Sequence, residues 1–178
     1  MIYEELNFQN LKTAIAIQHE IFPLENGSED IKSSLDKRPE YYSTLNYWLP
    51  QIDGEYIGIC GIYAYTEYPE SAWLGWFGIR EQYRKKGYAT QILNFILEQA
   101  KNLGFKTLRL YTDEEDNSNA INLYKKFGMT SEIYDNPDDK HFEISKTIIF
   151  SKSLTSAPVQ LWNNKNLYLN IHDEKNNL

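Results

Sequence analysis

A short basic segment, residues 84–87 (Arg-Lys-Lys-Gly), contains the residues best suited to bind a charged ligand. The apolar residues that follow it, up to Leu103, recur every three or four positions, which predicts one buried face of a helix. The unpaired N–H groups of a first helical turn, together with the positive end of the helix dipole, attract anions. The segment therefore predicts a site for a phosphate or a diphosphate. Its candidate residues are Arg84, Lys85, Lys86, Gly87, Tyr88, Ala89 and Thr90.

The segments on both sides of this turn must hold it in place. Residues 73–79 have the length and composition of a strand, and Gly104 stands where a left-handed residue commonly ends a helix. The predicted order is therefore strand, basic turn, helix. It is neither a dinucleotide-binding fingerprint nor a Walker loop, because G-x-G-x-x-G and G-K-[ST] are both missing. A solvated basic turn with an ordinary glycine is the alternative to an anion site.

Two motifs in this region resemble those of the GNAT N-acetyltransferase superfamily. Arg84, Gly87 and Ala89 fit its [QR]-x-x-G-x-[GA] motif. Residues 117–129, NSNAINLYKKFGM, fit its second motif, N-x-x-A-x-x-L-Y-x-K-x-G-[FM]. A strand-like segment, residues 107–112, lies between the two motifs, as it does in that family.

The resemblance implies acetyl-CoA as the donor and a primary amine as the acceptor. In that family the diphosphate binds the basic turn, and pantetheine lies beside the preceding strand like an added strand. Phe77 and Ile79 would then offer main-chain groups, and Gly78 between them would permit a close approach. One such group could also polarise the thioester oxygen. Asn117, at the helix-capping position of the family, would bind pantetheine from the other side.

The resemblance also implies a general acid but leaves the general base open. Tyr124 stands where the family has a tyrosine whose hydroxyl reaches the sulfur, and it would protonate the CoA thiolate. The alternative is that its ring packs beside Leu123 and Phe127 in the core. Some family members have a glutamate where this chain has Trp73, so a water chain is one route for the proton of the amine. The carboxylates that could replace that glutamate are Glu67, Glu70 and Asp113.

The sequence indicates only one property of the acceptor, which is a positive charge. Aromatic side chains near carboxylates suit a cationic amine, and packing on a sheet face is the alternative for each aromatic residue. The run of carboxylates over residues 113–116 is either solvated surface or part of such recognition. The aromatic residues concerned are Tyr63, Tyr65, Tyr68, Trp73 and Trp76.

Composition favours one acidic globular domain. A chain of 178 residues with 42% hydrophobic content can bury one core. The net charge of −7 disfavours nucleic-acid binding, because a basic face is lacking beyond residues 84–86. No apolar run is long enough to cross a membrane. The first ten residues lack the features of a signal peptide, so we expect a cytoplasmic protein.

Cysteine and histidine do not predict a redox or metal centre. Cys60 lies in an apolar strand-like run, which favours a packed thiol over a nucleophile. The three histidines, His19, His141 and His172, are far apart and lack the spacing of metal ligands, so no metal site is predicted.

The remaining segments predict an α+β fold. The resemblance implies a central mixed, mostly antiparallel sheet of six to seven strands flanked by about four helices. Asp53-Gly54 predicts a two-residue hairpin turn. The predicted helices are residues 10–22, 28–37, 88–103 and 119–127. The predicted strands are residues 2–6, 47–52, 55–65, 72–79, 107–112, 129–134 and 142–154.

The predicted domain ends before the end of the chain. Residues 1–154 are expected to form the acetyltransferase domain, and residues 155–178 an extension. Residues 158–171 could form a hairpin around an asparagine-rich turn, followed by a frayed end. The extension could cover a sheet edge or contact a second subunit, so a homodimer is one alternative.

The leading interpretation is an N-acetyltransferase that acts on a small-molecule or peptide amine. A non-catalytic acyl-CoA-binding sensor domain on the same fold is the alternative. The presence of Tyr124 argues against that alternative.

Overall fold

The computed structural model describes residues 1–113, 117–139 and 146–168. These residues contain eight β-strands and four α-helices, distributed over two compact units that divide after Lys106. The predicted α+β class is confirmed. The predicted strand 55–65 is interrupted at Ile57, so the described residues form eight strands where six to seven were predicted. No helix in this part of the chain is long and apolar enough to span a membrane.

The first unit, residues 1–106, is an antiparallel sheet with three α-helices. Its strands follow the order β1-β2-β4-β5, and β3 pairs with β2. The elements are β1 (Ile2–Glu5), α1 (Leu11–Ile21), α2 (Ser28–Leu35), β2 (Tyr42–Ile52), β3 (Glu55–Tyr56), β4 (Gly58–Tyr65), β5 (Ser71–Ile79), a 3₁₀ turn (Glu81–Tyr83) and α3 (Tyr88–Asn102).

The turn between β2 and β3 confirms the hairpin prediction. Asp53 and Gly54 have φ angles of 51° and 84°, the positive values that a two-residue hairpin turn requires. Strand β2 is longer than predicted, because it begins at Tyr42 and pairs with β4 as far as Tyr65.

Strand β4 and helix α3 supply much of the core of this unit. Every residue of β4 is buried, as expected for a strand that is covered on both faces. The predicted apolar face of α3 is confirmed by its buried residues Ile92, Leu93, Ile96 and Ala100, but Leu103, just after the helix, is 47% exposed. Cys60 is buried in β4, and this burial raises the pKa of its thiol. The thiol is therefore packed and protonated, as its sequence context predicted.

A β-bulge interrupts the pairing of β4 with β5. Gly61 faces Gly75 and Ile59 faces Gly78, so two residues of β5 lie opposite one residue of β4. One of those two residues is Trp76, whose φ of 32° is uncommon for a non-glycine residue. Bulges bend a strand and redirect its side chains, often beside functional sites.

The second unit, from residue 107 onwards, contains three antiparallel strands and one helix in its described part. The strand order is β6-β8-β7, so β8 is central. The predicted strand 142–154 begins outside the described residues. The elements are β6 (Thr107–Asp113), α4 (Ser118–Lys126), β7 (Thr130–Ile133) and β8 (Thr147–Ser153).

The hairpin predicted for the C-terminal extension is wrong in its first strand, since residues 158–162 form no strand. Its second strand, 167–171, lies largely outside the described residues. Side chains of the second unit, not a neighbouring strand, accept the N–H groups of this segment. Both carboxylate oxygens of Glu132 accept main-chain N–H groups, from Trp162 at 2.7 Å and from Asn163 at 2.8 Å. Asp139 accepts the N–H of Leu167 at 2.9 Å.

Trp162 anchors this segment to the second unit. Its side chain is only 1% exposed. The Arg109 guanidinium lies 5.3 Å from its ring and the Lys165 ammonium 5.4 Å, within the range of cation–π contacts. Its indole N–H donates to the Lys165 carbonyl at 2.6 Å. The extension up to residue 168 therefore packs as part of the second unit.

We predict that Trp162→Ala lowers the free energy of unfolding by about 3–5 kcal/mol, because a large buried ring is removed. The neighbouring Leu161 is 40% exposed, and Leu161→Ala is the matched control, with an expected change below about 1 kcal/mol. Urea unfolding followed by far-UV circular dichroism measures both changes. Equal effects of the two substitutions would contradict the anchoring role of Trp162.

Candidate active site

The basic turn between β5 and α3 has an unusual backbone. Lys85 has a φ of 60° and Gly87 a φ of 79°, so two of its residues adopt the left-handed conformation. Gly87 is the N-cap residue of α3. A Cβ built on Gly87 would meet no atom within 4 Å, so the conformation, and not crowding, requires glycine there. The surface above this residue is consequently open to a ligand.

The cationic side chains of this turn have different surroundings. Arg84 Nε donates to the main-chain carbonyl of Ile79 at 2.9 Å, which ties the turn to the end of β5. The Lys86 ammonium lies 5.5 Å from the ring centre of Tyr83. Lys85 and Lys86 are exposed. One N–H of Arg84 therefore braces the turn, and Arg84 is as exposed to a bound anion as the two lysines are.

The first turn of α3 supplies main-chain donors beside these lysines. The N–H of Gln91 bonds to the carbonyl of Gly87 at 3.4 Å, which closes the first helical turn. The N–H groups of Tyr88, Ala89 and Thr90 precede that bond, so helix geometry leaves them without an intrahelical acceptor. No acidic side chain lies in the first turn of α3. The local charge is therefore suited to an anion.

The end of β5 is held from one side by α1. A Cβ on Gly78 would lie 2.5 Å from Ile21 Cγ2 and 2.9 Å from the ring of Phe22. Packing against the end of α1 thus gives a reason for glycine at this position. The sequence had suggested a different reason, the close approach of a ligand. Phe77 is half-buried and Ile79 is buried.

Arg80 fixes the same end of β5, a role that no sequence motif indicated. Its Nε donates to both carboxylate oxygens of Glu20 on α1 at 3.0 Å, and its guanidinium also donates to the carbonyl of Tyr56 at 3.2 Å. The hydrogen bond with Glu20 raises the pKa of Arg80. Its partners are 60 and 24 residues away in sequence, so no local pattern could have indicated this role.

The second unit contains the two other residues that the resemblance indicated. Asn117 occupies the N-cap position of α4, as expected. Tyr124 lies on α4 and is 6% exposed, with its ring 5.4 Å from that of Phe150. Burial raises the pKa of its hydroxyl above the ordinary value of 10.0. The phenol of Tyr124 is therefore protonated at neutral pH and can act as a donor.

The candidates for the general base differ in their surroundings. Trp73, which stands where some family members have a glutamate, is fully buried and stacks near Tyr63. Glu70 forms an ion pair with Lys106. Asp113 is the last residue of β6, and the rest of the carboxylate run, residues 114–116, lies outside the described residues.

The aromatic residues near β5 separate into two groups. Tyr63, Tyr65 and Trp73 are buried, so packing on the sheet face accounts for them. Trp76 is half-buried, and its indole N–H donates to Asp30 Oδ2 at 3.3 Å. Asp30 was not singled out from the sequence, because it is 46 residues away from Trp76.

No group of three or more histidine, cysteine, aspartate or glutamate side chains that could hold a metal ion is found among the described residues.

Solved structures of N-acetyltransferases are similar to this chain in fold. The ribosomal-protein-S18-alanine N-acetyltransferase of Escherichia coli matches with a TM-score of 0.68 and 17% identity, over 90% of this chain and 98% of that chain. An aminoglycoside 6′-N-acetyltransferase complexed with coenzyme A matches with a TM-score of 0.69 and 15% identity, over 89% and 100%. A GNAT family acetyltransferase from Elizabethkingia anophelis with acetyl-CoA bound matches with a TM-score of 0.62 and 18% identity, over 85% and 97%.

At these identities the likeness shows a shared fold. No curated protein matches the chain significantly. The model of the Acetyltransferase (GNAT) family matches residues 12–129, which is more than half of the chain. The basic turn and both sequence motifs lie within the matched residues. This chain therefore belongs to the GNAT family of acetyltransferases.

Proposed function

We propose that this protein transfers the acetyl group of acetyl-CoA to a primary amine of a small molecule or peptide. The observation that carries the proposal is the open turn at Gly87, where two exposed lysines adjoin the N–H groups of the first turn of α3. A diphosphate carries the charge and the acceptor oxygens that such a turn binds. Membership of the family, and similar structures described with coenzyme A or acetyl-CoA, support the identity of the donor.

The proposed residues have three roles. Arg84, Lys85, Lys86 and the main chain from Gly87 to Thr90 bind the diphosphate, and the Nε of Arg84 also braces their turn. Main-chain groups of Phe77, Gly78 and Ile79, with Asn117, bind pantetheine. The family resemblance supports this second role.

In the proposed reaction the neutral amine attacks the thioester carbon directly. A C–N bond forms and a tetrahedral intermediate appears, with negative charge on its oxygen. The C–S bond then breaks, the CoA thiolate leaves, and the amine loses its extra proton. A main-chain N–H near the thioester stabilises the oxygen as charge develops. The third proposed role belongs to Tyr124, whose hydroxyl donates to the departing sulfur.

The pKa of Tyr124 limits how it acts. An ordinary thiol has a pKa of about 8.5, which is below that of a buried tyrosine. Tyr124 is therefore a weak acid towards the thiolate, and its main effect is a hydrogen bond that strengthens as negative charge develops on sulfur. Complete proton transfer requires surroundings of low polarity that raise the pKa of the thiol as well.

Three expectations remain predictions from the sequence: the cytoplasmic location, the boundary between residues 1–154 and 155–178, and the homodimer.

A CoA-release assay over polyamines, aminoglycosides, amino acids and peptide N-termini tests the activity. We expect at least one amine to yield CoA and N-acetylated product in equal amounts. Binding of acetyl-CoA with no acetylated amine, and no effect of Tyr124→Phe on any property, would instead support a non-catalytic sensor.

We predict that Lys86→Glu combined with Gly87→Glu weakens CoA binding about a hundredfold or more. The variant replaces a cation by an anion, strains a left-handed position and repels phosphate. Isothermal calorimetry measures the dissociation constant. Lys101→Glu makes the same lysine-to-glutamate change in the last turn of α3 and is the matched control, with binding close to that of the wild type. Unchanged affinity in the double variant would refute the diphosphate assignment.

We predict that Tyr124→Phe lowers kcat by roughly a hundredfold and leaves the dissociation constant of acetyl-CoA almost unchanged, because the hydroxyl acts on the leaving sulfur. Because burial raises the pKa of Tyr124 above 10.0, its ionisation should cause no loss of activity below that pH. Tyr3→Phe, which keeps a ring that stacks on Phe95, is the control. A wild-type rate for Tyr124→Phe would remove its role and leave only core packing.

A further inference from the structure

Asp30 is a half-buried carboxylate in the first turn of α2. Its Oδ2 accepts the indole N–H of Trp76 at 3.3 Å. Its Oδ1 accepts no hydrogen bond from the described residues. Oδ2 is therefore held in place, and the lone pairs of Oδ1 can accept hydrogen bonds from a ligand.

Trp76 is fixed in position by its surroundings in the first unit. The indole packs against Gly27, where an added Cβ would come within 2.5 Å of the ring. Phe22 packs edge-on against it, with ring centres 5.3 Å apart. The bulge in β5 and the φ of 32° direct the side chain to this place. A non-glycine residue in this conformation has a cost in free energy, which the contacts of the indole must offset.

Tyr42 brings further aromatic surface near the same carboxylate. It is buried on β2 beside Tyr41 and Tyr63, with ring centres 4.5 Å and 5.5 Å away. Burial raises the pKa of Tyr42 most, and the charges of Tyr65 and Asp30 raise it further. The charge of Asp30 therefore acts on Tyr42, and the aromatic side chain that bonds to the carboxylate is Trp76.

Among the described residues, Asp30 differs from its acidic neighbours in having no cation beside it. Glu29 forms an ion pair with Lys32, and Glu20 forms one with Arg80. No lysine, arginine or histidine among the described residues pairs with Asp30 within 4.0 Å. The N-terminal turn of α2 and the indole N–H of Trp76 offset part of the cost of burying this carboxylate, and a bound cation would offset more of it.

We propose that Asp30, held by Trp76, binds a second positive charge on the acceptor, separate from the amine that is acetylated. This inference rests on the proposed function and assigns its substrate class, an amine that carries a further ammonium or guanidinium group. Asp30 is the specificity-determining residue, and Trp76 is the residue that positions it.

Matched acceptors test this role. The probes are α,ω-diaminoalkanes of four to eight carbons and the alkyl monoamines of the same lengths, assayed by CoA release and by calorimetric binding to the protein–CoA complex. Asp30→Asn should raise KM and the dissociation constant of the best diamine about ten- to hundredfold. It should leave kcat and the monoamine values within about twofold. Glu29→Gln, which removes the neighbouring carboxylate, should change neither class.

A fold defect in Asp30→Asn would weaken both classes of amine equally, so the decisive quantity is the affinity for the diamine divided by the affinity for the monoamine. Trp76→Phe keeps a ring but removes the donor to Asp30, and it should lower this affinity ratio by a smaller factor than Asp30→Asn does. If no amine is acetylated but diamines bind more tightly than monoamines and lose this preference in Asp30→Asn, the proposed function fails and the cation site stands. Equal diamine preference in the wild type and Asp30→Asn, in either measurement, overturns the inference.

Discussion

The conformation of the turn between β5 and α3 is the constraint on which the proposed chemistry depends. Two left-handed residues, Lys85 and Gly87, direct the chain from the strand into the helix. Arg84 closes the turn onto the carbonyl of Ile79, and Arg80 ties the same strand end to α1. These contacts fix the direction in which the first N–H groups of α3 point. The proposed anion site, formed by main-chain donors, is therefore organised before any ligand arrives, which would reduce the entropy lost on binding.

The same strand connects this turn with the proposed cation site. The bulge in β5 presents Trp76 to Gly27 and Asp30, while the end of β5, only a few residues later, leads into the basic turn. The proposed anion site thus directly follows β5, and Trp76 on the same strand holds the Asp30 carboxylate of α2. The two sites have opposite charges, which suits a donor with phosphates and an acceptor with ammonium groups. The overall charge of −7 is consistent with an acceptor of that kind.

The sequence predicted those features whose cause is local. The spacing of apolar residues in α3, the turn at Asp53 and the glycine at position 87 each follow from one residue type and its neighbours. Contacts between distant residues were not predictable in this way. Arg80 with Glu20 and Asp30 with Trp76 are examples, since each pair joins elements far apart in the chain. The prediction of the first strand of the C-terminal hairpin, residues 158–162, failed for the same reason, because the Glu132 side chain of the second unit accepts the N–H of Trp162.

The central claim is that the turn at Gly87 binds the diphosphate of CoA through main-chain N–H groups. Titration of CoA into isotope-labelled protein, followed by amide chemical shifts, tests it most directly. We predict that the amide resonances of Gly87, Tyr88, Ala89 and Thr90 shift most, and that desulfo-CoA produces the same shifts there. Saturating CoA that leaves these four amides unchanged while others move would contradict the account.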